Sequence, residues 1–362
     1  MKTHEISKGG YSLIARVLLC SAHHPQVWLE KLPAAASIVS AVGSTERDLS
    51  GFAVTVSIER ASSSGATGTG GLLQVQLTLD DVVHAGAGSW QQTVECTVEE
   101  GSSHCLLAVA LPSDQRRPWT PDTPHLYHFT CTLLQQGVPI DSVKSYAALR
   151  TVGKLSSLES SEHGGGGVFS PSGQRASERA VTRLALNGNR FYLIGTLDQG
   201  FWPGGVYTAP TDEALASDLV TLKSLGFNSL RKHQKIEPRR FYYHCDRLGI
   251  AVIQDFPGGR SGFGNVSVDA QFRHELRQMV KRTAAHPSVI AFSIYNEGGP
   301  AWNQTGGAEY IKDVVATVKA ADKESSGTAS SAPASKSHGN VRLVDAASGE
   351  WARGWLTGWL TG

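Results

Sequence analysis

The carboxyl-terminal half of the chain alternates short apolar runs with amphipathic segments. The apolar runs are predicted to be buried strands, and they cover Phe191–Leu197, Phe227–His233, Ala251–Pro257, Val289–Tyr295 and Val341–Ala347. Between them, apolar residues recur at helical spacing, with Thr211 as a cap before the first helix and Gly249 as the end of the second. Strands that alternate with amphipathic helices predict right-handed crossovers and a parallel sheet.

The preceding segment, from Gly51 to Val152, shows a two-residue alternation instead. Apolar side chains occupy every second position in four short stretches, at 54–58, 73–79, 107–111 and 127–133. Turn-forming residues separate these stretches, and no helical period is present. This pattern predicts an antiparallel β-sandwich of immunoglobulin type.

Polar side chains stand where the predicted parallel strands end. Asp198 follows the first strand, His233 ends the second, Asp255 lies near the end of the third, and the pair Asn296-Glu297 follows the fourth. In a parallel β/α barrel the carboxyl ends of the strands form the rim that carries active sites. A glutamate half-shielded at such a rim can have a pKa high enough to donate a proton near neutral pH.

Several motifs in a fixed order carry a family resemblance. They are Leu186–Arg190, Leu197–Pro203, Asn228–His233, Gln254–Pro257 and Tyr295–Gly298 in the barrel region, with Trp119–Tyr127 and Ser145–Val152 farther upstream. Together they resemble glycoside hydrolase family 2, the group of β-galactosidases, β-glucuronidases and β-mannosidases. The resemblance implies a multidomain β plus α/β chain, in which an immunoglobulin-like sandwich precedes a partial TIM (β/α)8 barrel of about five strands.

The resemblance also implies roles for three residues of the rim. Glu297 would be the acid/base that protonates the departing glycosidic oxygen of a β-linked glycoside. Asn296 would bond the 2-hydroxyl of the sugar, and Arg231 would steady the site from the second strand. A strand-end glutamate that merely pairs with a nearby cation is the commoner case for Glu297 taken alone, and the ordered motifs favour the catalytic role.

Four further residues are expected to contact sugar at the same rim: Asp198, Trp202, His233 and Asp255. An aromatic ring in the Gly/Pro loop that contains Trp202 suits stacking on a sugar face, but it could equally anchor its own loop. His233 could equally be a rim histidine with satisfied hydrogen bonds. A basic cluster around it, including Lys232 and Lys235, is explained by a strand end followed by a solvated loop.

The chain divides into four predicted regions. They are a remnant of a jelly-roll sugar-binding domain at 1–36, the sandwich at 37–152, a flexible linker or insertion at 153–180 and the partial barrel at 181–362. Val27–Glu30 resembles the last strand of the jelly roll. Segments rich in Ser, Gly and Ala at 61–71, 153–179 and 324–340 bury too little apolar surface to offset ordering entropy, so we expect mobile loops there.

Composition and motif content argue against several classes of partner and function. The chain has 362 residues, 40% of them hydrophobic, and a net charge of +1, which gives no field that would attract nucleic acid or an anionic membrane. No stretch reaches transmembrane length. No phosphate or nucleotide motif is present, so no cofactor is expected, and the histidines have no spacing that indicates a metal site. The stretch Tyr11–Cys20 is interpreted as a sandwich strand and not as a signal peptide, because Arg16 interrupts its apolar core.

The five cysteines show no Cys-x-x-Cys spacing, and their odd number leaves one unpaired under any scheme. Cys96 and Cys105 could lie on neighbouring strands and form a bridge. They could equally be free buried thiols, and the sequence leaves both possibilities open.

Retaining hydrolysis needs a second carboxyl group as nucleophile. The resemblance places that glutamate at the end of a seventh strand, whereas only five strands are predicted here. Two functions therefore compete: a retaining exo-β-glycosidase, or an inactive remnant that at most binds carbohydrate. Because an unclosed barrel exposes strand edges and interior side chains, self-association through the incomplete barrel is expected.

Overall fold

The computed structural model describes residues 2–8, 11–17, 32–33, 35–60, 72–80, 92–99, 101–159, 179–257, 266–296, 305–325 and 342–348. The first element is an antiparallel hairpin of β1 (Lys2–Lys8) and β2 (Tyr11–Val17). The predicted strand at Tyr11 is therefore present, whereas Val27–Glu30 lies outside the described residues. None of the described helices is long and apolar enough to cross a membrane.

Two antiparallel sheets form the predicted immunoglobulin-like sandwich, which is confirmed. In chain order the strands are β3 (Ala36–Thr45), β4 (Gly51–Arg60), β5 (Leu73–Leu79), β6 (Thr93–Val98), β7 (His104–Ala110), β8 (Tyr127–Gln135) and β9 (Val138–Ala147). One sheet has the order β3-β4-β7 and the other β6-β5-β8-β9. The inward residues of both sheets pack into one apolar core, because alternate side chains of a strand point to the same face.

The segment expected to be a flexible linker is ordered at both ends. Strand β10 (Val152–Glu159) pairs antiparallel with β11 (Arg179–Leu186), which pairs in turn with β12 (Asn189–Arg190). The interpretation of 153–180 as linker is therefore wrong for 153–159 and 179–180, because cross-strand hydrogen bonds order a segment with few large apolar residues. The residues between them lie outside the description, and the domain boundaries as a whole stay a prediction.

A five-stranded parallel sheet flanked by four helices confirms the partial barrel. Its elements are β13 (Gly195–Asp198), α1 (Asp212–Ser224), β14 (Ser229–Lys232), α2 (Arg239–Leu248), β15 (Ala251–Asp255), α3 (Val266–Thr283), β16 (Val289–Asn296), α4 (Gly307–Ser325) and β17 (Leu343–Ser348). The strands lie in chain order, as successive right-handed crossovers require. The first strand is shorter than predicted, because Phe191 bonds back to Leu184 through its amide and extends the preceding hairpin.

Local sequence explains where two of the helices begin and end. The Thr211 side chain accepts a hydrogen bond from the Ala214 amide at 3.1 Å and caps α1. Gly249 ends α2 with a φ of +73°, and a Cβ at this position would collide with the carbonyl of Pro121 in the sandwich. Glycine therefore satisfies both the backbone conformation and the close approach of the two domains.

The sandwich holds the barrel from the end where the parallel strands begin. Trp119 is fully buried there, and its indole nitrogen donates to the carbonyl of Asp246 at 2.8 Å. The Asp246 carboxylate accepts from the Tyr146 hydroxyl at 2.6 Å and from the Ser288 amide at 2.8 Å. Apolar contacts with Ile290, at the start of β16, complete this junction. The opposite ends of the strands, which carry the predicted site, therefore lie away from the sandwich.

Candidate functional site

Asp255 is the centre of the polar cluster at the carboxyl ends of the parallel strands. Its carboxylate is almost completely buried and accepts hydrogen bonds from Arg231 Nε at 2.9 Å and Nη2 at 2.7 Å. His233 Nδ1 lies 2.6 Å from the same carboxylate. Such a bidentate, charge-assisted arrangement fixes the guanidinium plane far more firmly than a single hydrogen bond. The cluster joins the ends of β14 and β15.

Arg231 carries this arrangement across to the fourth strand. Its Nη2 donates to Asn296 Oδ1 at 3.1 Å, so one guanidinium bridges Asp255 and Asn296. Parallel register brings the three side chains together, because Arg231, Asp255 and Asn296 come from three neighbouring strands near their carboxyl ends. The sequence predicts only that these residues lie at the same rim, and the structure adds the direct hydrogen bonds between them.

Glu297, the predicted acid/base, lies outside the described residues, so its contacts are not part of the geometry. What the structure gives is the position of its neighbour. Asn296 is the last residue of β16, half-buried, with its amide oriented by Arg231. The covalent neighbour of Glu297 is therefore anchored in the polar cluster.

Asp198 belongs to a second network, which lies beside the first. Its carboxylate accepts from Lys232 Nζ at 2.8 Å and from the Gly200 amide at 2.8 Å. Lys232 also contacts Glu237 Oε1 at 2.5 Å, and Lys235 contacts the same oxygen at 2.9 Å. We refer to Asp198, Lys232, Lys235 and Glu237 as the lysine network. Two lysines and two carboxylates balance its charge.

The lysine network corrects the expectation that the basic cluster is solvated. Lys232 and Lys235 are 1% and 2% exposed, so the basic cluster is not a solvated loop. Burial lowers the pKa of Lys235, and the adjacent Glu237 opposes that shift. Asp198 sits at the rim as predicted, but its carboxylate binds a lysine and a loop amide, which are structural contacts. Sugar contact by Asp198 stays a prediction.

The lysine network anchors the loop that follows β13. Lys235 Nζ donates to the carbonyls of Gly200 at 2.9 Å and Tyr207 at 2.7 Å. Gly200 has a φ of +71°, and a Cβ there would lie 2.6 Å from Glu237 Oε1 and 2.9 Å from Lys232 Nζ. The loop can therefore approach the buried charges this closely only through a glycine.

Trp202 anchors its own loop, which was one of the two interpretations of this residue. It pairs with Val206 through two backbone hydrogen bonds, and its side chain packs against the core of the barrel. The neighbouring Phe201 is 57% exposed and stacks on Tyr207 with ring centroids 4.6 Å apart. A role for Trp202 in sugar stacking stays a prediction.

Sequence reasoning missed Glu237 and the buried state of the two lysines. The available signal was the spacing of Lys235 and Glu237 immediately before Pro238, which opens α2. Charged residues at alternate positions beside a helix start usually face solvent, so the spacing alone did not indicate burial. Among the described residues, no three His, Cys, Asp or Glu side chains group closely enough to hold a metal ion.

Comparison with known proteins places most of the chain in two family models. The model described as "Glycosyl hydrolases family 2" matches residues 44–150, and the one described as "Glycosyl hydrolases family 2, TIM barrel domain" matches residues 182–331. A β-galactosidase of Aeromonas hydrophila is 29% identical over 205 residues, which are 54% of this chain and 17% of that protein. The β-glucuronidase of Rattus norvegicus is 31% identical over 168 residues, 42% of this chain and 24% of that protein.

Solved structures show the same fold. A β-galacturonidase of family 2 from Eisenbergiella tayi, bound to galacturonate, superposes with a TM-score of 0.61 at 19% identity. The superposition covers 88% of this chain and 47% of that chain. A β-glucuronidase from Bifidobacterium dentium gives a TM-score of 0.61 at 19% identity, over 88% and 45% of the two chains. The chain thus spans less than half the length of these relatives.

Proposed function

Because the chain belongs to glycosyl hydrolase family 2, we propose that it carries the proton-donor side of a retaining exo-β-glycosidase site. The reaction class is hydrolysis of an O-glycosyl bond, which agrees with the names of the similar β-galactosidase and β-glucuronidase. The substrate would be a β-linked glycoside, and the proposal involves no nucleic acid, membrane or cofactor. Which sugar it carries is left to the experiment below.

In this proposal Glu297 protonates the glycosidic oxygen as the bond to the aglycone breaks. Asn296 bonds the 2-hydroxyl of the sugar, an interaction that strengthens in the transition state of such reactions. Arg231 acts as a positioning residue, because its guanidinium holds the Asn296 amide at 3.1 Å. A rigid neighbour matters, since small displacements of a catalytic group cost large factors in rate.

The observation that supports the proposal most is the bridge from Asp255 through Arg231 to Asn296. The buried Asp255 carboxylate holds Arg231 against the Asn296 amide without any substrate present. The bridge is therefore preorganised, and its last residue, Asn296, directly precedes the proposed proton donor in the chain. His233, bonded to the same carboxylate, stiffens the cluster from the other side.

A second candidate function is carbohydrate binding without turnover. Retention requires a carboxylate nucleophile about 5–5.5 Å from the acid/base. Among the described rim residues, Asp255 is held by Arg231 and Asp198 by Lys232. If no further carboxylate acts as nucleophile, the rim holds a glycoside without cleaving it, which is the second function.

The test uses purified protein and nitrophenyl β-galactoside, β-glucuronide, β-galacturonide and β-mannoside. Release of nitrophenol measures turnover, and calorimetric titration with the unreactive thioglycosides measures binding. Both proposals require binding that Arg231→Met abolishes and that Lys312→Met, on an exposed helix surface, leaves unchanged. Turnover lost in Glu297→Gln would establish the enzyme; binding without turnover would establish the second function. Absence of binding to all four sugars would overturn both.

A further inference from the structure

Three cysteines face the interior of the β-sandwich close to one of its open edges. Cys96 lies on β6, Cys105 on β7 and Cys131 on β8. Cys105 and Cys131 are buried, whereas Cys96 is only partly buried. Strand β6 is an edge strand of the four-stranded sheet, and β7 is an edge strand of the three-stranded sheet. Cys96 and Cys105 therefore project from opposite sheets.

The two edge cysteines belong to the same apolar core. Cys105 is buried in it, Cys96 packs against it, and their strands β6 and β7 lie close together. The Cys96 thiol donates to the carbonyl of Thr97 at 3.4 Å. A tight turn joins their strands, closed by a hydrogen bond from the Ser102 amide to the Glu99 carbonyl at 3.0 Å. Because the chain passes from one sheet to the other in so few residues, the backbones at the two cysteines stay close. Cys96 and Cys105 each lie three residues outside this hydrogen-bonded pair, so they face each other across the two strands, and side-chain rotations can bring their sulfurs together.

We propose that Cys96 and Cys105 are a redox modification site that forms a reversible disulfide between the two sheets. The oxidant is a small-molecule disulfide such as oxidised glutathione. The bond would join the two edge strands of the sandwich at a point where no backbone hydrogen bonds connect the sheets. It would therefore restrict opening of that edge.

The chemistry is two successive thiol–disulfide exchanges. The Cys96 thiolate, the more accessible of the two, attacks one sulfur of oxidised glutathione; the S–S bond breaks, and one glutathione leaves as a thiolate. The Cys105 thiolate then attacks the Cys96 sulfur, forms the protein disulfide and expels the second glutathione. The protein gives up two electrons and two protons, and the small disulfide becomes two thiols.

Burial sets the rate of the second exchange. Desolvation raises the pKa of the Cys105 thiol, and the adjacent Cys96 raises it further. The thiolate is therefore scarce near neutral pH, so ring closure is slow there and accelerates as the pH rises. Burial also raises the pKa of Cys131 to about 12, and Cys131 lies on β8, an inner strand of its sheet. We expect Cys131 to stay reduced.

The experiment maps the disulfide in the full chain. Reduced protein is incubated with oxidised glutathione at neutral and at mildly alkaline pH, alkylated, and digested after glutamate and then after basic residues. Cleavage after Glu95, Glu99 and Glu100 separates Cys96 from Cys105, and cleavage at Arg116 separates Cys105 from Cys131. The expected product is a peptide pair 96–99 and 101–116 joined by a disulfide, formed faster at the higher pH, with a higher melting temperature for the oxidised protein.

Two variants sharpen the result. Cys105→Ser should stop at a stable glutathione adduct on Cys96, and Cys131→Ser should form the same disulfide as the unmodified chain. A disulfide that includes Cys131, a Cys96 adduct that never closes in the unmodified chain, or no loss of thiols at either pH would each overturn the proposal. The map of the unmodified protein decides by itself if a variant fails to fold.

Discussion

Replacing Lys232 with methionine removes the cation that two carboxylates share beneath the rim. The ammonium is 1% exposed and lies 2.8 Å from Asp198 Oδ2 and 2.5 Å from Glu237 Oε1. Removing one partner of a buried ion pair costs about 3–5 kcal/mol, because the remaining charge stays buried. Asp198 is 29% exposed and can be solvated in part, so we expect the lower end, about 3 kcal/mol in the free energy of unfolding.

Urea unfolding followed by helical circular dichroism measures this loss in the right part of the molecule, since all four described α-helices flank the parallel sheet. The matched control is Lys312→Met. Lys312 pairs with Glu309 at 3.0 Å, but the two side chains are 74% and 76% exposed, and such pairs contribute less than about 1 kcal/mol.

A double-mutant cycle separates the pair from its surroundings. Lys232→Met combined with Glu237→Met should be less destabilised than the sum of the two single variants, by about 0.5–3 kcal/mol. The reasoning is wrong if Lys232→Met costs no more than Lys312→Met, because the network would then be no stronger than a solvated surface pair.

Three further substitutions test the loop, the helix start and the rim. Gly200→Ala should destabilise the protein by more than the roughly 1–2 kcal/mol of a left-handed backbone, because the added Cβ would lie 2.6 Å from Glu237 Oε1. Gly204→Ala is the control, because Gly204 has a φ of +76° but no atom near its Cβ position, so it should show the backbone cost alone. Equal losses of melting temperature in the two variants would contradict the close approach at Gly200. A hydrogen bond from an arginine of α2 holds the pKa of Asp212 well below its usual range. The stabilisation that ionised Asp212 gives to the folded protein is complete above the unfolded pKa of about 3.9 and is lost as pH falls through the folded pKa. The difference in melting temperature between the wild type and Asp212→Asn should therefore shrink on acidification, and a constant difference would disprove this. Asp255→Asn should weaken glycoside binding or turnover by about 100-fold through misplacement of its arginine partner, and Asp198→Asn should cost much less; the reverse order would identify Asp198 as the rim residue that matters.

The sequence predicts best where one local rule decides the structure. The alternation at Leu73–Leu79 and the cap at Thr211 are read directly from neighbouring residues, and both are present. The strands Ala36–Thr45 and Val138–Ala147 are not predicted, because small or charged residues such as Gly43 and Asp141, and exposed apolar ones such as Val138, interrupt the alternation. Such strands are held by cross-strand pairing, which a single sequence does not display.

The site shows the same division. The order of motifs predicts that Arg231, Asp255 and Asn296 share a rim, since parallel strands end on one side of a sheet. The burial of Lys232 beside Glu237 depends on a loop that folds back over β14, and the spacing of residues along the chain does not predict that contact. Self-association through the exposed side of β13, where Leu197 is 51% exposed, stays a prediction.

The central claim is that Glu297 acts next to the bridge formed by Asp255, Arg231 and Asn296. The most direct measurement is a crystal structure of the Glu297→Gln protein soaked with an alkyl β-glycoside, in which a missing proton donor leaves the substrate intact. We expect the sugar 2-hydroxyl within hydrogen-bond distance of the Asn296 amide and the glycosidic oxygen within hydrogen-bond distance of the residue 297 side chain. A sugar bound elsewhere, or a residue 297 side chain directed away from this bridge, would contradict the account.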